Sequence, residues 1–177
     1  MKIRTASLLA VSALATFTLF AQEPVEGVKD PESLFKSSDA KLNKNKQAAL
    51  HIMRELLQCG QWDRAGEWLT KAYHQHNPNA ASGLDGVVYY FTQVAKMPKK
   101  ETCTTLTNPV VAVIAEGDYV NVMTPRVLDD PRTPGKKYYT TWFDTWRFVD
   151  GKADEHWDPQ ALPGPPAPGP SAAAAAK

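Results

Sequence analysis

Apolar side chains recur every three or four residues at Leu42, Ala49, Leu50, Met53, Leu56 and Leu57, with Lys and Gln between them and Gly60 behind. That spacing predicts an amphipathic helix over 40–60 with a glycine stop. Trp62, Ala65, Trp68, Leu69 and Ala72 continue the helical period, predicting a second helix over 61–73, which Asn77-Pro78 ends. Leu84, Val87, Val88, Phe91 and Val94 mark a third helix over 84–97. From about residue 103 the period becomes two. Strands are predicted at 109–115, 119–123, 137–149 and 153–158, with Glu116-Gly117-Asp118 as one turn. Pro125 to Lys136 is charged and Pro-rich, and reads as an excursion outside the core. Helices first and an antiparallel sheet second is the order of an α+β domain.

The chain has 177 residues, and its ends do not share this pattern. Residues 1–21 place Lys2 and Arg4 ahead of an apolar run from Ala6 to Ala21, too short for a membrane span. They read as an export signal, so the expected location is periplasmic or secreted, with no stable membrane insertion after processing. Residues 22–39 read as a loosely ordered leader, 40–160 as the folded domain, and 161–177 as a disordered Pro- and Ala-rich tail. Removing 1–21 leaves 18 of the 20 basic residues against 19 acidic ones, which is no footprint for nucleic acid. Cys59 and Cys103 could form one disulfide in an oxidising compartment or stay as two thiols; their spacing suits neither zinc nor thioredoxin-type chemistry.

The densest chemistry lies between Trp142 and Asp158, where two aromatic-rich strands flank Asp150-Gly151. Asp-Gly between such runs signals a hairpin. An odd-numbered loop, with a type I turn and Gly151 in the left-handed position, puts Asp144, Trp146 and Phe148 on the face of His156 and Asp158. Thr145, Arg147, Glu155 and Trp157 then share the other face, where Arg147 and Glu155 can pair. An even loop inverts the relation. Carboxylates and an imidazole among large apolar side chains are the material of acid/base chemistry.

Three blocks carry a resemblance: Tyr73-His-Gln-His-Asn-Pro78, Ala115-Glu-Gly-Asp-Tyr-Val120, and Trp142-Phe-Asp-Thr-Trp-Arg147 followed by Asp150-Gly-Lys and Glu155-His-Trp-Asp158. In this order, over roughly residues 40–160, they resemble the SnoaL-like branch of the nuclear transport factor 2-like superfamily. The resemblance implies a cone-shaped α+β fold, with a strongly curved sheet wrapping the helices around one deep pocket. Its members include polyketide cyclases, a ketosteroid isomerase, dehydratases and non-catalytic binding modules, so the fold leaves the function open.

By position, Asp158 matches the acid/base residue of the cyclase relatives. Asp144 aligns near a partner that is a His in those relatives, so their mechanism does not transfer intact. The resemblance makes Asp158, Asp144 and His156 the candidate catalytic residues. His76, Trp142, Trp146 and Phe148 are the candidate ligand contacts, with His76 at the pocket mouth or, alternatively, part of a helix-capping His-Asn-Pro unit. His76, His156, Asp144 and Asp158 are residue types that suit a divalent ion but lack a tight ligand spacing, so the expectation is no metal and no cofactor. The expected partner is a small hydrophobic molecule. Lyase or isomerase chemistry on a carbonyl compound is one reading and non-catalytic binding the other. Homodimers are common in the superfamily, and the face bearing Thr145 and Trp157 is the expected interface.

Overall fold

The computed structural model describes residues 23–162. The expected signal over 1–21 and all but the first two residues of the expected tail lie outside them. Asp39 opens the first helix, α1 (Ala40–His51), its carboxylate accepting from the Leu42 N–H at 2.8 Å. The helix then widens into a π-helical stretch, Ile52–Gln58, which keeps Ile52, Met53 and Leu56 buried. A 3-10 turn, Trp62–Arg64, leads into the short α2 (Ala65–Trp68) and then strand β1 (Leu69–Gln75). Helix α3 (Leu84–Tyr89) continues as a π-helical turn, Tyr90–Val94. The remaining strands are β2 (Ala112–Glu116), β3 (Tyr119–Asp129), β4 (Lys137–Val149) and β5 (Lys152–Trp157).

The five strands form one open, curved sheet in the order β1-β5-β4-β3-β2. Its inner face, with Val113, Val120, Val122, Trp146, Phe148 and Ala153, packs on the helices through a core that includes Phe35, Leu56, Trp62 and Val87. The α+β class is that expected, but β1 falls between α2 and α3, so the helices do not all precede the sheet.

Several expectations are corrected. Residues 69–75 are a strand: β1 pairs in parallel with β5, so the sheet is mixed rather than wholly antiparallel. The helical period over 61–73 is overridden because the free edge of β5 offers the segment a ladder of hydrogen bonds, and β preference depends on such neighbours. The excursion is shorter than Pro125–Lys136, since β3 runs to Asp129 against β4. Pro125 is tolerated there because β2 pairs with β3 only as far as Met123, leaving an edge beyond it. Val94, expected in the buried stripe, is exposed. The leader is docked: Pro31–Phe35 forms a 3-10 turn whose Phe35 is fully buried, and Glu32 accepts from the Leu106 N–H and pairs with Arg54. The Cys59–Cys103 disulfide forms, tying the end of the π-helical stretch to the segment ahead of the sheet.

The closing hairpin reaches the expected facing by a different route. Val149 pairs with Lys152, so Asp150 and Gly151 alone make the turn, with φ of 52° and 84°. Both values are positive, as in a two-residue type I′ turn, and the odd loop is not formed. An even turn alone would send His156 to the outer face. The register shifts between Arg147 and Phe148, so that Asp154 is an extra, bulged residue and Trp146 faces His156. The bulge is held by the Thr70 hydroxyl, 2.7 Å from Asp154, and by Arg147 at 2.6 Å.

Candidate active site

Between the inner face of the sheet and the helices lies a cavity of about 760 Å³. Ile52, Met53, Trp62, Val87, Phe91, Trp142 and Trp146 give it apolar walls, and Tyr73, Gln75, Asn77, Asp144, His156 and Asp158 are its polar patch. Volume and composition suit an organic molecule of modest size oriented by a few polar groups.

Asp144, His156 and Asp158 each place one ligand-type atom within 4.8 Å of the others. His156 is 6 % exposed, and Asp144 is 8 % exposed. The His156 Nε2 stands 3.2 Å from Asp144 Oδ1, and its Nδ1 stands 2.8 Å from Gln75 Oε1. The orientation of Gln75 is set by the Asn77 backbone N–H, which donates to Oε1 at 3.0 Å. Gln75 therefore presents an acceptor, and His156 Nδ1 must carry a proton. The contact of Nε2 with Asp144 Oδ1 is then a hydrogen bond through a proton shared by the two atoms. Trp142 Nε1–H also donates to Asp144 Oδ1, at 3.2 Å. The pair thus holds one transferable proton beside the cavity.

Asp158 is surrounded by donors. Asn77 Nδ2 donates to Oδ2 at 2.7 Å and the Gln160 backbone N–H to Oδ1 at 2.9 Å, and Asn77 is itself fixed because its Oδ1 accepts from the Asn79 N–H. This holds Asp158 as an oriented carboxylate, with its remaining lone pairs available to a ligand. Tyr73 accepts from Trp146 Nε1 at 3.2 Å. Burial pushes its phenol well above the ordinary tyrosine range, and the charges of Asp144 and Asp158 push the same way. Tyr73 therefore keeps its proton across the physiological range. A proton acceptor, a shared proton and a phenol converge on one apolar space, an arrangement suited to moving a proton on carbon and stabilising oxygen charge.

The structure brings together Asp144, His156, Asp158, Trp142 and Trp146. It places two expected ligand contacts elsewhere. Phe148 is buried in the core and does not line the cavity. His76 is on the outer side, stacked on Trp157 at 5.1 Å and bonded to Glu155 at 2.9 Å. Glu155 also receives Arg147 at 3.0 Å, the expected cross-strand pair, and His76 and Arg147 hold its carboxyl below the usual range. Tyr73, Gln75 and Asn77 were missed as site residues. Alternation from Tyr73 puts these three on one face and His74 and His76 on the other, a signal hidden by reading the segment as helix. Asp144, His156 and Asp158 could also hold a divalent cation, since an Nδ1–H bonded to Gln75 leaves Nε2 as the ligand atom. No helix among the described residues is long and apolar enough to cross a membrane.

No curated protein sequence matches the chain significantly. Among solved structures, it is similar to a provisionally assigned polyketide cyclase from Acidithiobacillus ferrooxidans, at 18% identity over 70% of this chain and 89% of that one, with a TM-score of 0.48. A provisionally assigned polyketide cyclase from Bacillus cereus is 17% identical over 77% of this chain and 85% of that one, TM-score 0.49. A nuclear transport factor 2-like protein of unknown function from Burkholderia pseudomallei is 15% identical over 67% and 91%, TM-score 0.45. The family profile of the SnoaL-like domain matches residues 51–156, more than half of the chain. The chain belongs to the SnoaL-like domain family.

Proposed function

We propose that this is an exported acid/base lyase or isomerase that takes a small, largely apolar carbonyl compound into the cavity. Asp158 removes a proton α to the carbonyl. The proton between His156 and Asp144 goes to the developing enolate oxygen, with the Tyr73 phenol as a further donor. The observation that carries this reading is the convergence of Asp144, His156 and Asp158 on one point of an apolar cavity. Export is supported by the basic-then-apolar residues 1–21 and by the Cys59–Cys103 disulfide, which suits an oxidising compartment.

The test is α-proton exchange in D2O, followed by NMR, on ketones that raise the melting temperature of the protein. Asp158→Asn should lower exchange by about 10² to 10⁴-fold with the fold intact. Exchange that survives this substitution removes Asp158 as the base. Ligand binding with no exchange in the unaltered protein points instead to a non-catalytic binding protein, whose polar residues only orient the ligand.

The outer sheet face supports a homodimer. Ile114, Tyr119 and Phe143 are exposed apolar side chains there, beside Thr145 and Trp157. Sedimentation at micromolar concentration should give twice the chain mass, and a monomer would remove the dimer.

A further inference from the structure

Of the five arginines among the described residues, four hold carboxylates: Arg54 with Glu32, Arg64 with Glu55 and Glu67, Arg132 with Asp130, and Arg147 with Asp154 and Glu155. Arg126 has no carboxylate within ion-pair distance among the described residues. It lines the cavity, and no other Arg or Lys does. Its guanidinium lies 4.5 Å from the Trp142 ring centroid. The indole N–H of the same Trp142 donates to Asp144.

These placements follow from the register. Val122 faces Asp144, Thr124 faces Trp142, and Arg126 faces Thr140, so three successive inward rows of β3 and β4 carry the acid, the indole and the cation. Arg126 leans back over the middle row, its guanidinium on the Trp142 ring between the exposed end and the row of the acid. The inner end of the cavity holds two acidic side chains with His156, while the exposed end holds one cation. An anion is disfavoured at the first and attracted at the second. A guanidinium seated on an aromatic face is weakly hydrated and presents its N–H fork to a carboxylate.

We propose that the cavity takes an amphipathic carboxylate, an apolar carbonyl compound whose anionic end is held by Arg126 over Trp142 while its carbonyl reaches Asp144, His156 and Asp158. This rests on the proposed acid/base reading for what happens at the carbonyl end, but the anion preference is a binding property in its own right. Arg126 sets both substrate class and orientation. A ligand anchored by its anion at Arg126 turns its other end toward Asp144, His156 and Asp158.

The experiment is calorimetric titration of the full chain with 5-benzoylpentanoate and with its primary amide, two probes that differ in charge at one end. The unaltered protein should bind the carboxylate at least about tenfold more tightly than the amide, the scale of one charge-assisted hydrogen bond. Arg126→Gln should erase that preference and leave amide affinity within about twofold, while Arg126→Lys should keep part of it. Equal affinities in the unaltered protein, no binding of either probe, or a preference that survives Arg126→Gln would overturn the assignment. α-Proton exchange of the bound keto-carboxylate in the unaltered protein separates the two proposals. An intact anion preference in an unaltered protein that exchanges no α-proton sinks the acid/base reading and leaves Arg126 in place. Exchange without anion preference does the reverse.

Discussion

Two carboxylates in this molecule are each bonded by a histidine and by a tryptophan indole, and they do different work. Asp144 has His156 Nε2 and Trp142 Nε1, both at 3.2 Å. Glu55, in the π-helical stretch, has His51 Nδ1 at 2.5 Å and Trp68 Nε1 at 3.1 Å, with His51 stacked on Trp68. The difference lies in what else surrounds them. Arg64 stands 2.9 Å from Glu55 and Arg54 3.6 Å, so cations fully match its charge, and it does not line the cavity. Among the described residues Asp144 has no arginine or lysine partner; it has a second carboxylate close by and opens onto the cavity. The same trio of residue types is a structural clamp in one place and a candidate acid/base site in the other. Charge matching and access separate them.

The comparison is broken most directly by neutralising each acid in turn. Asp144→Asn should lower α-proton exchange by about 10² to 10⁴-fold while the melting temperature falls less than in Glu55→Gln, because Asp144 leaves no guanidinium unpaired and opens onto the cavity. Glu55→Gln should do the opposite. Removing one partner from a buried, paired charge costs about 3 kcal/mol, or roughly 10 °C in melting temperature by calorimetry, with ligand affinity unchanged. A loss of exchange in Glu55→Gln at matched stability would collapse the distinction.

Acid provides a smaller and graded test. Burial by itself raises the Glu55 pKa, but hydrogen bonds from His51 and Trp68 and the charges of His51 and Arg64 outweigh it, and the carboxyl ends below its ordinary 4.5. A depressed acid stabilises the fold above its unfolded pKa, and that contribution is lost as pH falls through the folded one. Urea denaturation should therefore show stability falling below pH 4.5, with a shallower slope in Glu55→Gln. Equal slopes would mean that Glu55 is not the acid-sensitive clamp.

Much of this could be read from the chain. The helix at 40–60, the strand at 137–149 and the facing of Asp144, Trp146, His156 and Asp158 follow from local periodicity, since neighbouring side chains on a helix or strand point where the backbone sends them. The facing nevertheless came from a bulge at Asp154 on an even turn, and no local pattern announces a residue whose extra length is absorbed by Thr70, 84 positions away. The helical period over 61–73, overridden from Leu69 onward, had the larger effect on the site. It hides the alternation that turns Tyr73, Gln75 and Asn77 inward, where Gln75 bonds His156 and Asn77 bonds Asp158. The docking of Phe35 was equally hidden, because a single aromatic in a polar leader has no period to reveal its pocket.

The sequence by itself determined the class of fold, the family and the acids and imidazole of the candidate site, because these depend on alternation within single segments and on residue identity. Only the tertiary structure decided that β1 joins β5, that Gln75 and Asn77 hold the site, that Glu55 is matched and Asp144 is not, and that Arg126 stands over Trp142 at the exposed end of the cavity. Each of these is a contact between segments distant in the chain. Its energy depends on which partner the folded backbone delivers, and no pattern within one segment encodes that.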